Sequence, residues 1–456
     1  MNYTTNKNNN QQPNGNFLKV PCTLERFHNT TTILGKDSCG RDCYYINGYV
    51  EPIEDDFICD FCGKKMHVHD HKDKSLKYLP MLGNYSVVNI NVIQFKCPHC
   101  NATKMQSIPF KEDNHLITIQ LKTFTEDLLA SNEYTNKQVA QQTGLNRNLV
   151  KEIDKERLKK IYTKNGEGKE LINPEQQAKF LGIDEFKLHD GNKYATHIID
   201  LETGHVLWIA KGKKKQVVYD FIKHVGYSWM SKVIAVACDM NSDFEEAFKE
   251  ECPHLKIVYD YFHIMKNLNE KVISNIRKDE QKRLIKEGKL EEAKKFKKSK
   301  YILVSSRQTL IKKDQEVREN KVISKGSALF NEPEITRKGN YEEKYNDLIN
   351  ENELLLIVDF IKELLYDAFH TNNKSNMKKS LFDIMELCEE SQNKHLLYFK
   401  NLLYNHYDGI ITHAEHNISS GKIEGINNKI KTKRRQAYGY PDDEYFFLKV
   451  IDMSRH

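Results

Sequence analysis

The pattern of apolar and polar positions changes several times along the chain. Over residues 87–95 apolar and polar side chains alternate, which is typical of a strand with one buried face. Residues 115–165 switch to helical spacing, and residues 178–260 return to strand patterns. There, two apolar runs, Tyr194–Asp200 and Val206–Ala210, flank a short polar segment, which predicts a β-hairpin.

Helical and strand patterns then alternate. Two helical segments, Gln216–His224 and Ser242–Glu251, are followed by the apolar strands Val233–Cys238 and Lys256–Tyr259, respectively. A hairpin followed by α/β alternation predicts a mixed sheet covered by helices. Residues 262–405 are almost wholly helical in pattern, and their first half is rich in lysine.

Three acidic residues stand where metal-dependent chemistry would need them. Asp184 and Asp239 each end an apolar run, so we expect both at the carboxyl ends of buried strands, where ligands usually bind. Glu424 lies 185 residues beyond Asp239. Because carboxylates are the main protein ligands of Mg²⁺, the three acids predict a site for two Mg²⁺ (or Mn²⁺) ions. If they meet, most of the long gap must be a helical insertion that loops out of the catalytic domain.

Basic residues follow Glu424 and favour a polyanionic substrate. Asn427 and Asn428, unusual inside a helix, predict polar contacts to DNA or to the groups around the metal. The alternative for the basic run is a solvated helix face. The predicted DNA-backbone contacts are Lys429, Lys431, Lys433, Arg434 and Arg435.

Two further polar residues follow the last strand of this region. Asp260 is interpreted as a helix N-cap or a partner of a metal ligand, with direct ligation as the alternative. His263 is interpreted as a contact to a phosphate or to the attacking water, and a structural histidine fits equally well.

Two pairs of cysteines predict a structural zinc site. Cys59 and Cys62 form one C-x₂-C pair, and Cys97 and Cys100 form the other, which is a strong signal for a tetrahedral Zn²⁺. The 34 residues between the pairs predict an inserted hairpin. Three further histidines fit an exposed strand face better than ligation, and three further cysteines are read as ordinary thiols. These residues are His67, His69, His71, Cys22, Cys39 and Cys43.

Residues 135–151 have the pattern of a helix-turn-helix. Thr135 can cap the first helix, Val139 and Ala140 face inward, and Gly144 permits the turn. An ordinary pair of helices is the alternative. The second helix, starting at Leu145, would present four residues to a major groove: Asn146, Arg147, Asn148 and Lys151.

Bulk properties limit the possibilities further. A chain of 456 residues should form two to four domains, and its net charge of +6 permits nucleic-acid binding without demonstrating it. No apolar run reaches 18 residues, and the polar start (Thr4–Asn16) lacks the apolar core of a secretion signal. We therefore expect a cytoplasmic protein with no membrane partner, in which clustered cysteines bind metal.

Several motifs, in order, resemble the ISL3 group of bacterial insertion-sequence transposases. The resemblance spans roughly residues 55–450, and the zinc and helix-turn-helix segments match as well. Tyr261 departs from the family, in which arginine is common. The matching motifs are Leu181–Glu185, Asp200–Gly204, Cys238–Met240, Val258–His263, Glu424–Lys431, Arg435 and Ala437–Tyr440.

The resemblance implies a function and a fold. Asp184, Asp239 and Glu424 would be the catalytic, metal-binding acids of a DDE triad on an RNase H-like fold. The N-terminal modules would bind the terminal inverted repeats of the element, and the enzyme would cleave DNA and transfer the freed 3′-hydroxyl into target DNA. We expect a homodimer or larger assembly on double-stranded DNA, associated with the bacterial nucleoid.

The predicted architecture is therefore multidomain, with an α/β catalytic domain that carries a large all-α insertion. Its domains are a polar, partly disordered segment (1–50), a zinc-binding domain (51–110), a helix-turn-helix domain (115–165), a catalytic domain (178–270 and 406–456) and a helical insertion (271–405).

Two other functions compete with this one. A zinc and helix-turn-helix regulator without catalysis would explain residues 55–165 but not the three acids. An RNase H-like nuclease without strand transfer would use the same chemistry, and only the DNA-reading modules favour a transposase over it.

Overall fold

The computed structural model describes residues 24–168, 170–174, 176–191, 193–240, 242–319, 322–324, 335–336, 339–370, 373–416, 418, 421–436 and 440–456. The chain divides into two compact units. The first contains residues up to 171 together with 436–449 and 456, and the second contains 172–435 and 450–455. None of the helices within the described ranges combines the length and apolar character that a bilayer crossing requires. Three parts of the sequence discussed above lie outside the described residues: Cys22, Thr4–Asn16 and Ala437–Gly439.

A five-stranded sheet opens the first unit, with the order β1-β2-β4-β3 and β5 paired to β4. The sheet is antiparallel except between β2 and β4, which are parallel. The long β3–β4 hairpin is the insertion predicted between the two cysteine pairs. The strands are β1 (Phe27–Lys36), β2 (Asp42–Val50), β3 (His67–Met81), β4 (Asn84–Lys96) and β5 (Thr103–Met105).

The predicted domain boundary at residue 50 does not separate two domains. β2 lies inside the sheet, and its Ile46 and Val50 are buried with Leu76, Val88 and Ile90 in one core. The alternation in β2 is interrupted by polar residues and a glycine, which explains why the sequence pattern left this segment unassigned.

Three helices follow the sheet: α1 (Ile119–Ala130), α2 (Asn136–Thr143) and α3 (Arg147–Tyr162). The Thr135 side chain caps α2 as predicted, in a reciprocal capping box with Gln138. Gly144 ends α2 with φ 70°, a left-handed conformation that glycine adopts without strain. Val139 is fully buried between these helices.

The second unit contains a mixed sheet in the order β10-β9-β6-β7-β8. β6, β7 and β8 are antiparallel, and β9 and β10 run parallel to β6. This arrangement confirms the predicted hairpin and the predicted mixed sheet. The strands are β6 (Phe180–His189), β7 (Lys193–Asp200), β8 (Val206–Lys211), β9 (Ala235–Cys238) and β10 (Lys256–Val258).

The remaining elements are mostly helical, as the pattern predicted, with one small two-stranded ladder, β11 (Val322–Ser324) and β12 (Ile335–Thr336), between α11 and α12. A π-helical turn, Leu268–Ile273, joins α7 to α8. The helices are α4 (Lys215–Val225), α5 (Tyr227–Met230), α6 (Ser242–Glu251), α7 (Tyr261–Asn267), α8 (Ser274–Lys286), α9 (Leu290–Phe296), α10 (Lys300–Val304), α11 (Arg307–Arg318), α12 (Tyr341–Asn350), α13 (Glu353–His370), α14 (Lys374–Glu390), α15 (Lys394–Asn405), α16 (Tyr407–His416), α17 (Gly421–Gln436) and α18 (Asp443–Met453).

The helical insertion does not loop away from the sheet, contrary to our expectation. Buried apolar residues of the sheet and of the helices from α7 to α16 form one continuous core. At the sheet edge, the Tyr259 amide donates to the Gly409 carbonyl oxygen of α16 over 3.3 Å. A side chain at Gly409 would lie 2.4 Å from the Tyr259 ring, so a glycine is needed for this close approach.

Residues 436–449, which the sequence assigned to the catalytic domain, belong to the first unit. Tyr445 and Leu448 of α18 form a small core with Leu158 of α3. The buried Lys449 ammonium lies 3.1 Å from the buried Asp154 carboxylate, which also accepts a hydrogen bond from the Tyr445 hydroxyl. The residues in contact lie far apart in sequence, so the local pattern of residues 406–456 could not indicate these contacts.

A second glycine lets α17 approach the sheet. A side chain at Gly182 of β6 would lie 2.7 Å from the Ile423 Cδ1 atom of α17 and 2.9 Å from Leu201. Residues two apart on a strand share a face, so Gly182 and Asp184 both lie on the side that α17 covers. The missing side chain therefore brings α17 close to Asp184.

We expect Gly182→Ala to lower the stability of the second unit by about 1–3 kcal/mol, because the added methyl group overpacks this contact. Ile423→Val removes the nearest clashing atom and should restore part of the loss. Thermal unfolding of the single and double variants measures both effects.

Gly425→Ala is the matched control on α17. A side chain at Gly425 would have no atom within 4 Å, and alanine favours a helix by up to about 1 kcal/mol relative to glycine. Unchanged stability in Gly182→Ala, with no effect of Ile423→Val, would show that the contact between β6 and α17 is loose.

Candidate active site and metal centres

The register of two strands places Asp184 and Asp239 side by side. β6 and β9 are parallel, and their last pair is Ile183 with Cys238. Asp184 is the next residue of β6 and Asp239 directly follows β9, so the register brings both side chains out of the sheet on the same face. Asp239 follows the end of its strand, as predicted. Asp184 does not, because β6 continues to His189 through its pairing with β7.

Glu424 reaches the same place from the helix above. It lies exposed in the first turn of α17 and lines, with both aspartates, a cavity of about 580 Å³. The three acids predicted from separate segments therefore share one cavity. Its lining residues are Asp184, Glu185, Phe186, Lys187, Tyr194, Asp239, Phe262, His263, Lys266, Ile423, Glu424, Asn427, Ile430, Lys431 and Arg434.

Hydrogen bonds fix the carboxylate of Asp184. The Glu185 amide donates to Oδ1 over 2.8 Å, and Asn427 Nδ2 donates to Oδ2 over 2.6 Å. Burial raises the pKa of Asp184 despite these two bonds. A bound cation would favour the ionised form of this carboxylate.

Asp239 has a different environment. Its Oδ1 accepts a 2.7 Å hydrogen bond from the Met240 amide and lies 3.1 Å from His263 Nδ1. Burial acts to raise the pKa of Asp239, but the hydrogen bond and charge of His263 outweigh it and the pKa is lowered. Burial likewise opposes ionisation of His263, whereas its contact with Asp239 raises its pKa. His263 thus contacts an acid of the cavity directly.

Asp260 is the N-cap of α7, one of the two roles favoured from the sequence. Its side chain accepts the Phe262 amide over 3.3 Å, and the residue is 9% exposed. It does not line the cavity. Tyr261, the departure from the family motif, packs against Phe369 of α13 with ring centroids 5.3 Å apart.

Helical spacing divides the basic residues of α17 into two groups. Lys431 and Arg434 follow Glu424 and Asn427 at intervals of three or four residues and line the cavity. Lys429, Lys433 and Arg435 do not line it, and Lys429 Nζ lies 3.4 Å from the Met453 carbonyl oxygen.

The cavity also contains residues that the sequence pattern did not indicate. Lys187 of β6 and Lys266 of α7 add two cations, and Phe262 is 50% exposed beside the acids. Lys266 is six residues beyond Asp260, in a segment for which the sequence predicted a helix but no functional residue. Its helical spacing from His263 was the one feature of the sequence that could have placed it in the cavity.

Comparison with known proteins identifies the family of this chain. The family model of the ISL3-type DDE transposases, described as transposase, matches residues 181–450, a range that includes all three acids. The chain belongs to this transposase family. A relative, the transposase for insertion sequence element IS1001 of Bordetella parapertussis, is 26% identical over 403 residues, which cover 88% of this chain and 90% of the relative.

The transposase also carries a four-cysteine cluster in its first unit. The ligand atoms of Cys59, Cys62, Cys97 and Cys100 all lie within 4.8 Å of one another, and two of the sulfur pairs are 3.5 Å apart. Tetrahedral Zn–S bonds of about 2.3 Å place sulfurs about 3.8 Å apart, so the cluster is compatible with zinc.

Backbone amides donate to the sulfurs of the cluster, and their effect wins at two of the four thiols. Burial and contacts with neighbouring sulfurs outweigh it at the other two, raising the pKa of Cys62 and raising that of Cys100 to about 12. Donation from the Cys100 amide lowers the pKa of the Cys97 thiol to about 6, and donation from the Cys62 and Phe61 amides lowers that of Cys59. A thiolate is the form that binds metal.

The three histidines predicted on an exposed strand face do lie there, on β3. Cys39 is an exposed thiol and Cys43 a buried one.

The start of α3 differs from the prediction in the transposase. The helix begins at Arg147 rather than Leu145, because the Asn146 side chain caps it by accepting the Asn148 amide over 2.9 Å. Arg147 and Asn148 are exposed. Lys151 Nζ lies 3.0 Å from the Asp442 carboxylate in the same unit, so its charge is already paired.

We expect purified protein to contain about one zinc per chain, and the double variant Cys97→Ser/Cys100→Ser to lose it, because serine does not supply a thiolate. Metal analysis by mass spectrometry measures the content. Cys39→Ser is the control and should keep the zinc. An unchanged zinc content in the double variant would exclude this site.

Proposed function

We propose that this transposase cuts DNA at the ends of an insertion sequence and joins the freed 3′-hydroxyl to target DNA, acting as a homodimer or larger assembly. The main observation that supports this proposal is the cavity lined by three acids from distant segments, Asp184, Asp239 and Glu424, together with basic side chains. The name of the relative from Bordetella parapertussis supports an insertion sequence as the substrate.

The arrangement supports an RNase H-like catalytic domain. In that fold an antiparallel three-stranded segment continues into parallel strands, as in the order β10-β9-β6-β7-β8. The first strand of the sheet in sequence and the parallel strand beside it carry the first two acids, and a later helix carries the third. Asp184, Asp239 and Glu424 have these positions.

The donor set suits two hard divalent cations. Asp184, Asp239 and Glu424 offer carboxylate oxygens, which Mg²⁺ and Mn²⁺ prefer. Bound there, such ions would activate the attacking oxygen and neutralise the leaving oxygen of a phosphodiester. Lys266, Lys431 and Arg434 would hold the DNA phosphates around the scissile bond, since backbone contacts position a substrate without reading its sequence.

The helices α1 to α3 support a helix-turn-helix that reads the element ends. Arg147 and Asn148, exposed at the start of α3, are the residues placed to contact bases, because recognition helices use their N-terminal residues in this way. Asn146 would contribute mainly the cap, and Lys151 would first have to leave Asp442.

The nuclease and the transposase differ in one measurable step. A labelled DNA duplex with a free 3′-hydroxyl end of the element, incubated with plasmid and Mg²⁺, should yield covalently joined product. Cleavage without joining would favour the RNase H-like nuclease, and DNA binding without either reaction would favour the regulator.

We expect Asp184→Asn, Asp239→Asn and Glu424→Gln each to abolish cleavage and joining while DNA affinity stays within about twofold, because a lost carboxylate removes metal ligation but not phosphate attraction. Gel assays of cleavage, and binding titrations without divalent ions, separate the two effects. Asp220→Asn, an exposed acid on α4, is the control and should remain active. Full cleavage by Glu424→Gln would remove Glu424 from the triad.

We expect Arg147→Ala to weaken binding to duplexes of the element ends by about 1–3 kcal/mol, with little change for scrambled duplexes, because a lost base contact affects only the specific sequence. Fluorescence anisotropy at fixed salt measures both. Lys160→Ala, at the far end of α3, should weaken both duplexes equally. Equal affinity of the unaltered protein for both duplexes would show that α3 does not read sequence.

A further inference from the structure

Asn427 has an unusual position in α17. It lies one turn after Glu424, lines the cavity and is flanked on the helix by the buried Ile423, Ile426 and Ile430. On a face that packs against a sheet with isoleucines, an apolar side chain is the expected choice. An asparagine there needs a reason other than packing.

Its amide nitrogen provides one reason. Nδ2 donates to Asp184 Oδ2 over 2.6 Å, while the other Asp184 oxygen accepts the Glu185 amide. These two bonds hold both oxygens of the carboxylate, and the bond from Asn427 is the one that a substitution can remove. Asn427 therefore sets the rotation of the Asp184 carboxylate.

Its amide oxygen gives the second reason. Among the described residues, Asn427 Oδ1 is buried and has no hydrogen-bond partner. A buried acceptor left unpaired costs stability, because it has lost its hydrogen bonds to water. The fold carries this cost at a residue that contacts one of the three acids, which is expected of a side chain kept for function rather than for stability.

We infer that Asn427 is a positioning residue: it holds Asp184 in the orientation in which the cavity binds a divalent cation, and its unpaired Oδ1 completes the shell of polar groups around that cation. This inference rests on the proposed function. Residues that orient a metal ligand typically change metal affinity by 10–100-fold when they are removed.

The alternative is a purely structural role, which predicts the opposite result for stability. If Asn427 served the fold, Asn427→Leu would destabilise the protein. If it serves the cation, leucine should pack against the neighbouring isoleucines and remove an unpaired oxygen, so the metal-free protein should be at least as stable as before.

The test uses the full-length, zinc-loaded protein and Mn²⁺ as the probe. Electron paramagnetic resonance of free Mn²⁺ measures its affinity for the unaltered protein and for Asn427→Leu, Asn427→Ala and Asn428→Leu, and thermal unfolding in EDTA measures stability. Asn428 is the adjacent, exposed amide and does not line the cavity, so the contact to the groups around the metal that the sequence predicted for it is not made, and it serves as the matched control. We expect about 10–100-fold weaker Mn²⁺ binding in both Asn427 variants, no change in Asn428→Leu, and no loss of stability in Asn427→Leu.

Three outcomes would overturn the inference: unchanged Mn²⁺ affinity in either folded Asn427 variant, an equal loss in Asn428→Leu, or a lower unfolding temperature of both Asn427 variants in EDTA. Asp184→Asn, measured alongside, distinguishes a failure of the role of Asn427 from a failure of the cation site. If Asp184→Asn weakens Mn²⁺ binding and the Asn427 variants do not, only the role of Asn427 fails. If Asp184→Asn also has no effect, the proposed cation site itself fails.

Discussion

The parallel pairing of β6 with β9 is the constraint on which the candidate active site depends. Because the strands pair residue for residue up to Ile183 and Cys238, the next residues on each strand are two aspartates on one face. Shifting the register by one residue would turn one of them to the opposite face. The buried side chains on the other face, including Ile183 and Cys238, pack in the main core and hold this register.

The helix α17 completes the site because the sheet lets it approach. Gly182 leaves space for Ile423, and this contact brings Glu424 and Asn427 over Asp184. The two aspartates then differ in their surroundings: burial raises the pKa of Asp184, whereas His263 lowers that of Asp239. Divalent cations would balance the negative charge that the three acids bring together, and the lysines and arginine of the same cavity suit a phosphodiester substrate.

The first unit combines a four-cysteine cluster, a sheet and three helices. The cluster brings Cys59 and Cys62, which precede β3, next to Cys97 and Cys100, which follow β4, although the long β3–β4 hairpin separates the two pairs in sequence. Elsewhere in this unit α3 is held by the C-terminal segment through Lys151, Lys155 and Asp154. The helix proposed to read DNA thus depends on residues almost 300 positions further along the chain.

Local features of the sequence determined much of this protein. Periodicity predicted the β7–β8 hairpin, the strands and helices that follow it, and the helical stretch after residue 262, because alternation and helical spacing depend only on neighbouring residues. The spacing of the cysteine pairs predicted the four-sulfur cluster, since ligand geometry limits the spacing of each pair. The N-cap of α2 was likewise predicted from Thr135, although the start of α3 was misplaced by two residues.

Tertiary structure alone decided how these parts meet. Contacts between distant segments produce the continuous core of sheet and insertion, the position of β1 and β2 in one sheet with the β3–β4 hairpin, and the packing of residues 436–449 in the first unit. Lys431 and Arg434 line the cavity and the other basic residues of α17 do not, because of how that helix is rotated against β6. The sequence contained Asn427 as an unexplained amide. Its bond to Asp184, 243 residues away, exists only because Gly182 admits α17 to the face of the sheet that carries both aspartates.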